Sequence, residues 1–151
     1  MPTPGCEGRT LLADNGTVPP IETKIAHPER CPCQSGERYL DCCGPLHRGE
    51  ALAPTAERLM RSRYSAFAVG DTGYLLSTWH PSTRPREFEL DAGLVWTRLD
   101  IERTLRGGPF DTDGIVEFTA QCRSDGIRSM QHEVSRFVRV DRRWLYLDAS
   151  G

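Results

Sequence analysis

The sequence lacks any apolar run that approaches the ~18 residues of a membrane span, and its start lacks the basic residues and apolar core of a secretory signal. It also lacks a dominant charge, because 19 basic and 21 acidic residues leave a net charge of −2. No general attraction to nucleic acid or to anionic lipid follows from that balance. We therefore expect a cytoplasmic protein that neither enters a membrane nor binds nucleic acid.

Six cysteines are present in a chain of 151 residues, of which 38% are hydrophobic and 26% charged. This composition suffices for one domain with a real core, alone or with a small added module. Because cytosolic thiols stay reduced, the cysteines indicate metal binding or thiol chemistry before disulfides.

The chain divides into three stretches. Residues 1–28 are rich in Pro and Gly and poor in large apolar residues, which predicts a flexible tail in which Cys6 has no second cysteine nearby. Residues 29–50 are dense in Cys and Gly and too polar to form a core, so this segment needs a metal to hold it. Residues 51–151 carry the periodic apolar patterns of a folded domain.

In residues 51–151, the segments with helical periodicity come before the segments with strand patterns. Apolar spacing predicts a helix over 55–69 and a shorter one over 71–78. Segments rich in Val, Ile, Thr, Phe and Trp predict strands at 94–105, 114–123, 128–140 and 143–148. Asp125-Gly126 and Asp141-Arg142 suit two-residue hairpin turns. Helices followed by an antiparallel meander predict an α+β fold.

Four cysteines in the second stretch follow the spacing Cys-x-Cys, eight residues, Cys-Cys. Zinc accepts four thiolates in a tetrahedron, each at ~2.3 Å. The adjacent pair reaches one ion only if its backbone is turned, which the following Gly44-Pro45 favours; His47 is the one reserve ligand nearby. The prediction is a structural Zn²⁺ ion held by Cys31, Cys33, Cys42 and Cys43.

Other chemistries for this cluster stay open at this point. Cys42 and Cys43 can form a vicinal disulfide, which a reducing cytosol disfavours. Redox sites more typically show Cys-x-x-Cys at a helix start, and iron–sulfur clusters use other spacings. A catalytic zinc keeps one position open for water, whereas four cysteines close the shell. The predicted ion therefore serves folding.

The segment from Cys31 to Gly44, CPCQSGERYLDCCG, resembles the SEC-C motif, which is named after the C-terminal zinc knuckle of the preprotein translocase ATPase. The translocase form commonly ends in Cys-His, whereas Cys43 takes the last place here. The resemblance implies the same four cysteine ligands that the spacing predicts.

The likeness extends beyond the knuckle. Residues 61–67 (RSRYSAF), 78–80 (TWH), 132–137 (HEVSRF) and 144–148 (WLYLD) together resemble the YchJ family of bacterial proteins. The resemblance implies a SEC-C knuckle followed by a cone-shaped domain of the nuclear transport factor 2-like (NTF2-like) fold, with helices packed on a curved antiparallel sheet. It implies no activity, and the tail lies outside it.

If both hairpin turns have two residues, the strand partners follow. Phe118 then lies opposite Glu133, and Ser135 lies opposite Asp148. One face of the sheet, predicted to pack on the helix, collects Val116, Phe118, Ala120, Glu133, Ser135, Phe137, Trp144, Tyr146 and Asp148.

Arg63 falls in the middle of the apolar stripe of the 55–69 helix. A buried guanidinium requires a carboxylate, so we predict an ion pair from Arg63 to Glu133, Asp148 or both. The pair either fixes the helix on the sheet or marks a polar pocket for a small molecule. The candidate pocket residues are Arg63, Tyr64, Trp79, Glu133, Ser135, Tyr146 and Asp148.

Two functions of different classes follow from these features. The first is a non-catalytic interaction or adaptor module whose knuckle contacts another protein, which by analogy with the translocase belongs to the translation or secretion machinery. The alternative is a small-molecule-binding protein or an enzyme that uses the pocket in the cone. We assign no catalytic residue, because the neighbours His132 and Glu133 point to opposite faces of one strand.

Overall fold

The computed structural model describes residues 29–150; the predicted tail, with Cys6, lies outside this range. A 3₁₀ turn (Tyr39–Asp41) and helix α1 (Cys43–His47) come first. Helices α2 (Ala56–Val69) and α3 (Thr72–Ser77) follow, and then strands β1 (Leu94–Arg106), β2 (Asp113–Ser124), β3 (Ile127–Val140) and β4 (Arg143–Ser150). The order confirms the predicted α+β fold with a cysteine-rich knuckle in front. No helix within residues 29–150 is long and apolar enough to cross a membrane.

Local capping explains the bounds of α2 and α3, the two helices of the domain that follows the knuckle (residues 51–150, called the cone below). The Thr55 hydroxyl accepts a hydrogen bond from the Arg58 backbone N–H at 3.1 Å, which starts α2. Gly70 ends α2 in the left-handed conformation (φ = +81°). The Asp71 carboxylate then accepts from the Tyr74 N–H at 3.0 Å and starts α3. Both helices lie where the sequence predicts them.

The four strands form one antiparallel sheet in the order β1-β2-β3-β4. Both hairpin turns have two residues with positive φ, +54° and +77° at Asp125-Gly126 and +51° and +69° at Asp141-Arg142. The predicted β2–β3 register is confirmed, with Phe118 opposite Glu133.

The predicted position of Asp148 is wrong. Near the β3–β4 turn the register is as predicted, with Phe137 opposite Tyr146. One step farther from the turn it shifts by one residue, so that Arg136, and not Ser135, pairs with Asp148. One extra residue in β4 turns every later side chain to the opposite face. Asp148 therefore lies on the outer face, 41% exposed, where it forms an ion pair with Arg136 at 2.6 Å.

Helix α2 packs on the inner face of the sheet, and aromatic side chains fill the space between them. Residues 78–83 cover the edge of β4: the Tyr146 N–H donates to Thr78 O and the His80 N–H donates to Tyr146 O, both at 2.8 Å. This edge contact places Trp79 inside, in a parallel bridge with Tyr146. The buried core includes Leu59, Met60, Tyr64, Val116, Phe118, Ala120, Phe137, Trp144 and Tyr146.

Candidate metal centre

The backbone of the knuckle (residues 29–50) turns back on itself twice. The Cys31 N–H donates to Glu37 O at 2.9 Å, and the turn between them uses positive φ at Gln34 (+67°) and Gly36 (+94°). Cys42 and Cys43 lie where the 3₁₀ turn passes into α1, so their backbone is turned, as binding of both to one ion would require. Gly44 is needed here, because a Cβ at this position would lie 2.7 Å from Tyr39 O.

The four predicted cysteines converge. Their sulfur atoms all lie within 4.8 Å of one another, and the Cys33 and Cys42 sulfurs are 3.7 Å apart. A tetrahedron with metal–sulfur bonds of ~2.3 Å has edges of ~3.8 Å, so the cluster fits one tetrahedral ion. Cys31, Cys33 and Cys43 are buried, Cys42 is half-buried, and all four are free thiols, which rules out the vicinal disulfide in this structure.

The electrostatics of the cluster favour a bound cation. Hydrogen bonds from Cys33 and Cys43 lower the pKa of the Cys31 thiol. The same hydrogen bonds to Cys31 raise the pKa values of the Cys33 and Cys43 thiols, and burial raises them further. The protein alone therefore stabilises the thiolate of Cys31 and opposes those of Cys33 and Cys43, whereas a metal ion would stabilise the bound thiolates together.

Helix α2 supplies polar groups around the sulfur atoms. The Arg58 guanidinium donates to Cys42 O at 2.7 Å and to the Cys43 sulfur at 3.4 Å. The Ser65 hydroxyl lies 3.4 Å from the Cys31 sulfur, and Arg61 donates to Cys33 O at 2.8 Å. A divalent ion with four thiolates carries a net charge of −2, so the cation of Arg58 offsets charge at the site.

The sequence analysis missed these polar groups of α2 around the sulfur atoms. Arg58, Arg61 and Ser65 are spaced i, i+3 and i+7, so they form one polar stripe along α2. The stripe itself was readable in the sequence. The surface against which the knuckle packs was not readable, because nothing in the spacing of the cysteines says where the cysteine-rich segment lies on the cone.

Gln34 makes a second attachment of the knuckle to the cone. Its side-chain amide donates to Thr97 O, and its amide oxygen accepts from the Leu99 N–H, both at 3.2 Å. Thr97 lies at a register shift in β1, where its backbone has left the regular β1–β2 pairing. The knuckle is thus bonded to the cone on two sides, at α2 and at β1.

His47, the predicted reserve ligand, lies outside the sulfur cluster. Its Nε2 is 2.9 Å from Ser62 O, and its Nδ1 is 2.7 Å from the Tyr39 hydroxyl. Since a carbonyl can only accept, Nε2 carries the proton and Nδ1 accepts from Tyr39. Burial lowers the pKa of His47, which keeps the ring neutral. His47 therefore links the knuckle to the cone.

Arg63 is fully buried, as predicted, but its predicted ion pair is wrong. Among residues 29–150, no carboxylate oxygen lies within 4 Å of its guanidinium. Nη1 instead donates to Leu75 O at 2.9 Å and to the Thr78 hydroxyl at 2.7 Å, at the end of α3. Burial lowers the pKa of Arg63 to about 10, and the group stays charged at neutral pH.

The two predicted partners of Arg63 are engaged elsewhere. Asp148 is on the outer face of the sheet with Arg136. Glu133 is buried on the inner face, as predicted, but its two oxygens accept from the Ser135 hydroxyl at 3.0 Å and from the Gln131 amide at 3.1 Å. Burial raises the pKa of Glu133, against the lowering effect of those hydrogen bonds and of Arg63.

The other candidate pocket residues divide into two groups. Trp79 and Tyr146 lie against Arg63, with ring centroids 5.1 and 4.7 Å from its guanidinium carbon. Tyr64 packs edge-on against Trp96 at 5.8 Å. A cleft of about 360 Å³ lies elsewhere, between the knuckle and α3, and His47, Tyr74 and Arg143 are among the residues that line it.

A second group of potential ligands lies on the outer face of the sheet, formed by Glu102, Glu117 and His132. Glu117 is already paired with Arg103 at 2.9 Å and with His132 at 2.8 Å. His132 is exposed and Glu133 is buried, which confirms that the two neighbours face opposite sides. We assign no metal to this group.

Comparison with known proteins agrees with this architecture. Residues 55–149 match the family model described as YchJ, middle NTF2-like domain. A UPF0225 protein from Streptomyces coelicolor is 53% identical over 118 residues, which cover 78% of this chain and 92% of the relative. A UPF0225 protein from Corynebacterium glutamicum is 52% identical over 119 residues, with 78% and 94% covered.

Solved structures of two SEC-C motif-containing proteins agree with this fold. A SEC-C motif-containing protein from Rhodopseudomonas palustris superposes with a TM-score of 0.70 at 34% identity, covering 80% of this chain and 97% of that one. A SEC-C motif-containing protein from Psychrobacter arcticus gives 0.65 at 28% identity, with 87% and 86% covered. With its cysteine knuckle seated on an NTF2-like cone, this chain belongs to the YchJ family.

Proposed function

We propose that this protein is a non-catalytic adaptor whose knuckle, ordered by one Zn²⁺ ion, contacts another protein. The observation that supports it most is the convergence of four sulfur atoms within 4.8 Å in a segment with almost no apolar core. Four thiolates select a soft ion such as zinc and leave no open position for a substrate. The metal would therefore fix a surface.

The surface that the knuckle exposes suits a protein partner better than a polyanion. Arg38 pairs with Asp41 at 3.1 Å, and Arg48 pairs with Glu50 at 2.8 Å. Leu40 stands beside the first pair and is 47% exposed. An apolar residue among locally compensated charges is a common arrangement in protein interfaces, whereas nucleic acid needs uncompensated cations. The class of partner, translation or secretion machinery, rests on motif analogy with the translocase.

Affinity capture from a bacterial extract tests this function. The bait is the zinc-loaded full chain, compared with L40D, which should retain zinc but disrupt the proposed contact. M130D is the matched control, because Met130 is also an exposed apolar residue (61%) but lies on the sheet. We expect ribosomal or translocase components to be captured by the wild type and by M130D and lost from L40D.

A double variant, C42S/C43S, completes the test by removing zinc from the knuckle. It should lose the same partners, while circular dichroism still reports the folded sheet. If L40D and C42S/C43S capture the same proteins as the wild type, the knuckle is not the contact surface and the proposal is wrong.

A second function is favoured by a separate observation, the buried polar cluster inside the cone. Arg63, Glu133, Gln131 and Ser135 lie in the interior, and part of the Arg63 guanidinium has no partner among the described residues. Unsatisfied buried donors are uncommon in native proteins and indicate a bound water or ligand. The cone would then bind a small molecule, and this binding does not depend on the knuckle.

A further inference from the structure

One edge of the Arg63 guanidinium lacks a partner. Within residues 29–150, its Nε and Nη2 have no hydrogen-bond acceptor, although the residue is fully buried. These two nitrogens form the side of the guanidinium whose parallel N–H groups match the two oxygens of a carboxylate. The Nε1 of neighbouring Trp79 is a further buried donor without an acceptor. Among the described residues, Arg63 and the adjacent Trp79 thus hold three buried donor nitrogens without an acceptor.

The guanidinium is also held rigidly. Nη1 is fixed by Leu75 O and the Thr78 hydroxyl, at 2.9 and 2.7 Å. The aromatic rings of Trp79 and Tyr146 lie 5.1 and 4.7 Å from the guanidinium carbon, within cation–π range. An anchored nitrogen and two ring contacts fix the orientation of the free edge before any ligand arrives. Such pre-organisation reduces the entropy that binding loses.

Among residues 29–150, neither carboxylate that was predicted to pair with Arg63 can occupy this edge without breaking other bonds. Glu133 is the acidic group on the inner face near Arg63, and both of its oxygens already accept hydrogen bonds from Ser135 and Gln131. The β-bulge turns Asp148 to the outer face, where Arg136 binds it. Both carboxylates that were predicted to pair with Arg63 are therefore engaged with other side chains.

We propose that the free edge of Arg63 binds the carboxylate of a small organic acid inside the cone. This inference rests on the second function above and is independent of the partner of the knuckle. Burying three donors without acceptors costs the protein stability. A carboxylate accepts two parallel hydrogen bonds from Nε and Nη2 and neutralises the buried cation, which relieves that cost.

The surroundings favour an acid with an apolar body. The Trp79 ring that lies against the guanidinium also contacts Phe88, with centroids 5.4 Å apart. Phe88 contacts Phe67 at 6.1 Å, and Phe67 contacts Trp96 at 5.5 Å. Phe67, Phe88 and Trp96 are only partly buried, so this row of rings leads from Arg63 toward solvent. An aromatic or branched aliphatic acid would pack along the row.

Benzoate is a suitable probe, with benzamide as a neutral molecule of the same shape. Both are titrated into the zinc-loaded, ¹⁵N-labelled full chain at constant chloride. The Nε–H resonance of Arg63 and the indole N–H resonance of Trp79 are followed by NMR. We expect benzoate to shift both resonances saturably in the millimolar range and benzamide to leave the Arg63 resonance in place.

Two arginine variants sharpen the test. R63K keeps the charge but loses the two parallel N–H donors, so the benzoate affinity should fall about tenfold or more. R103K, on the outer face of the sheet, is the matched control and should bind benzoate as the wild type does. Zinc content and melting temperature verify that each variant is folded.

Two results would overturn the proposal. If benzoate gives no saturable shift of Arg63 in the wild type, buried water occupies the edge. If benzamide shifts Arg63 as benzoate does, the cone holds an apolar site without carboxylate recognition. Neither result bears on the knuckle, whose partner is tested by L40D and C42S/C43S.

Discussion

The knuckle and the cone fill their interiors by different means. The buried cluster of the knuckle consists of three cysteines and Tyr39, whereas the cone packs Phe118, Phe137, Trp144 and Tyr146 among many aliphatic residues. Each large apolar side chain that the cone buries contributes about 1.5–3 kcal/mol, and small thiols contribute much less. We therefore expect the knuckle to need a metal ion to stay folded, while the cone has a core of its own.

Loss of the metal should unfold the knuckle and leave the cone folded, and this is the largest effect that we predict. Structural zinc contributes about 10–16 kcal/mol of apparent binding energy in zinc-finger peptides. Chelation under reducing conditions should therefore expose the amides of residues 31–47 to hydrogen exchange, while β2 and β3 stay protected. Hydrogen-exchange mass spectrometry measures both regions in one sample.

Re-addition of zinc is the control for chelation, and it should restore protection of residues 31–47. The outcome that contradicts the comparison is a cone whose amides become exposed together with those of the knuckle. In that case the contacts of Arg58, Arg61 and Gln34 with the knuckle would stabilise the cone as much as its own core does.

The second prediction concerns Arg58, the cation that links the regions. R58Q removes the charge beside Cys43 but keeps a long polar side chain. Groups of this kind around a metal site typically change metal affinity by about 10–100-fold, so we expect R58Q to bind zinc weaker by that factor. A competition titration with a chromogenic chelator measures it. R128Q, on the sheet, is the control, and equal affinities for both variants would show that Arg58 does not act on the metal.

Local patterns predicted the elements of the cone, and non-local contacts explain what they missed. The helix bounds follow from Thr55, Gly70 and Asp71, and the β2–β3 register follows from the Asp125-Gly126 turn. Each of these depends on neighbours in sequence. The convergence of the four cysteines was predictable for the same reason, because they lie close to one another in the sequence.

The errors arise where distant segments meet. The bulge before Asp148 accompanies the contact of residues 78–83 with the edge of β4, which no turn signal encodes. The predicted partner of Arg63 was wrong because its Nη1 donates to Leu75 O and to the Thr78 hydroxyl, at the end of α3, which the apolar pattern of α2 does not encode. The attachment of the knuckle by Arg58 and Gln34 was missed because it joins two modules across the chain.

The third prediction tests the corrected position of Asp148 and has a small expected effect. The ion pair with Arg136 is exposed to solvent, and exposed pairs contribute little because water screens them. D148N should therefore lower the melting temperature only slightly. The hydrogen bond from Arg136 lowers the pKa of Asp148, so this contribution exists above the ordinary pKa of the carboxyl and disappears as the pH falls through its lowered value.

The variant to compare with D148N is E133Q, because Glu133 lies on the opposite face of the same sheet. Glu133 is buried and accepts from Ser135 and Gln131, so replacing it with an amide places donors where acceptors are needed. We expect E133Q to lower the melting temperature more than D148N does. Equal effects would mean that Asp148 also lies inside, as the uncorrected register had it.

The last prediction, with the smallest expected loss of stability, is R63M. Removing one partner of a true buried ion pair costs about 3–5 kcal/mol because the other charge stays buried and unpaired, whereas replacing Arg63 by an apolar side chain leaves no charged partner behind. Since Nε and Nη2 of Arg63 have no acceptor among residues 29–150, we expect R63M to keep the free energy of unfolding within about 1 kcal/mol or to raise it. Urea denaturation of the zinc-loaded protein measures this.

The same variant should lose benzoate binding, and the two results together distinguish a binding residue from a structural one. A residue retained for packing loses stability when it is replaced, whereas a residue retained for a ligand can be replaced at no cost to the fold. Strong destabilisation by R63M would show that the contacts of Nη1 and the two aromatic rings hold α2, α3 and the sheet together. Arg63 would then be a structural residue of the core of the cone and not a ligand-binding residue. The cone and the knuckle would then differ only in that the knuckle depends on a metal ion.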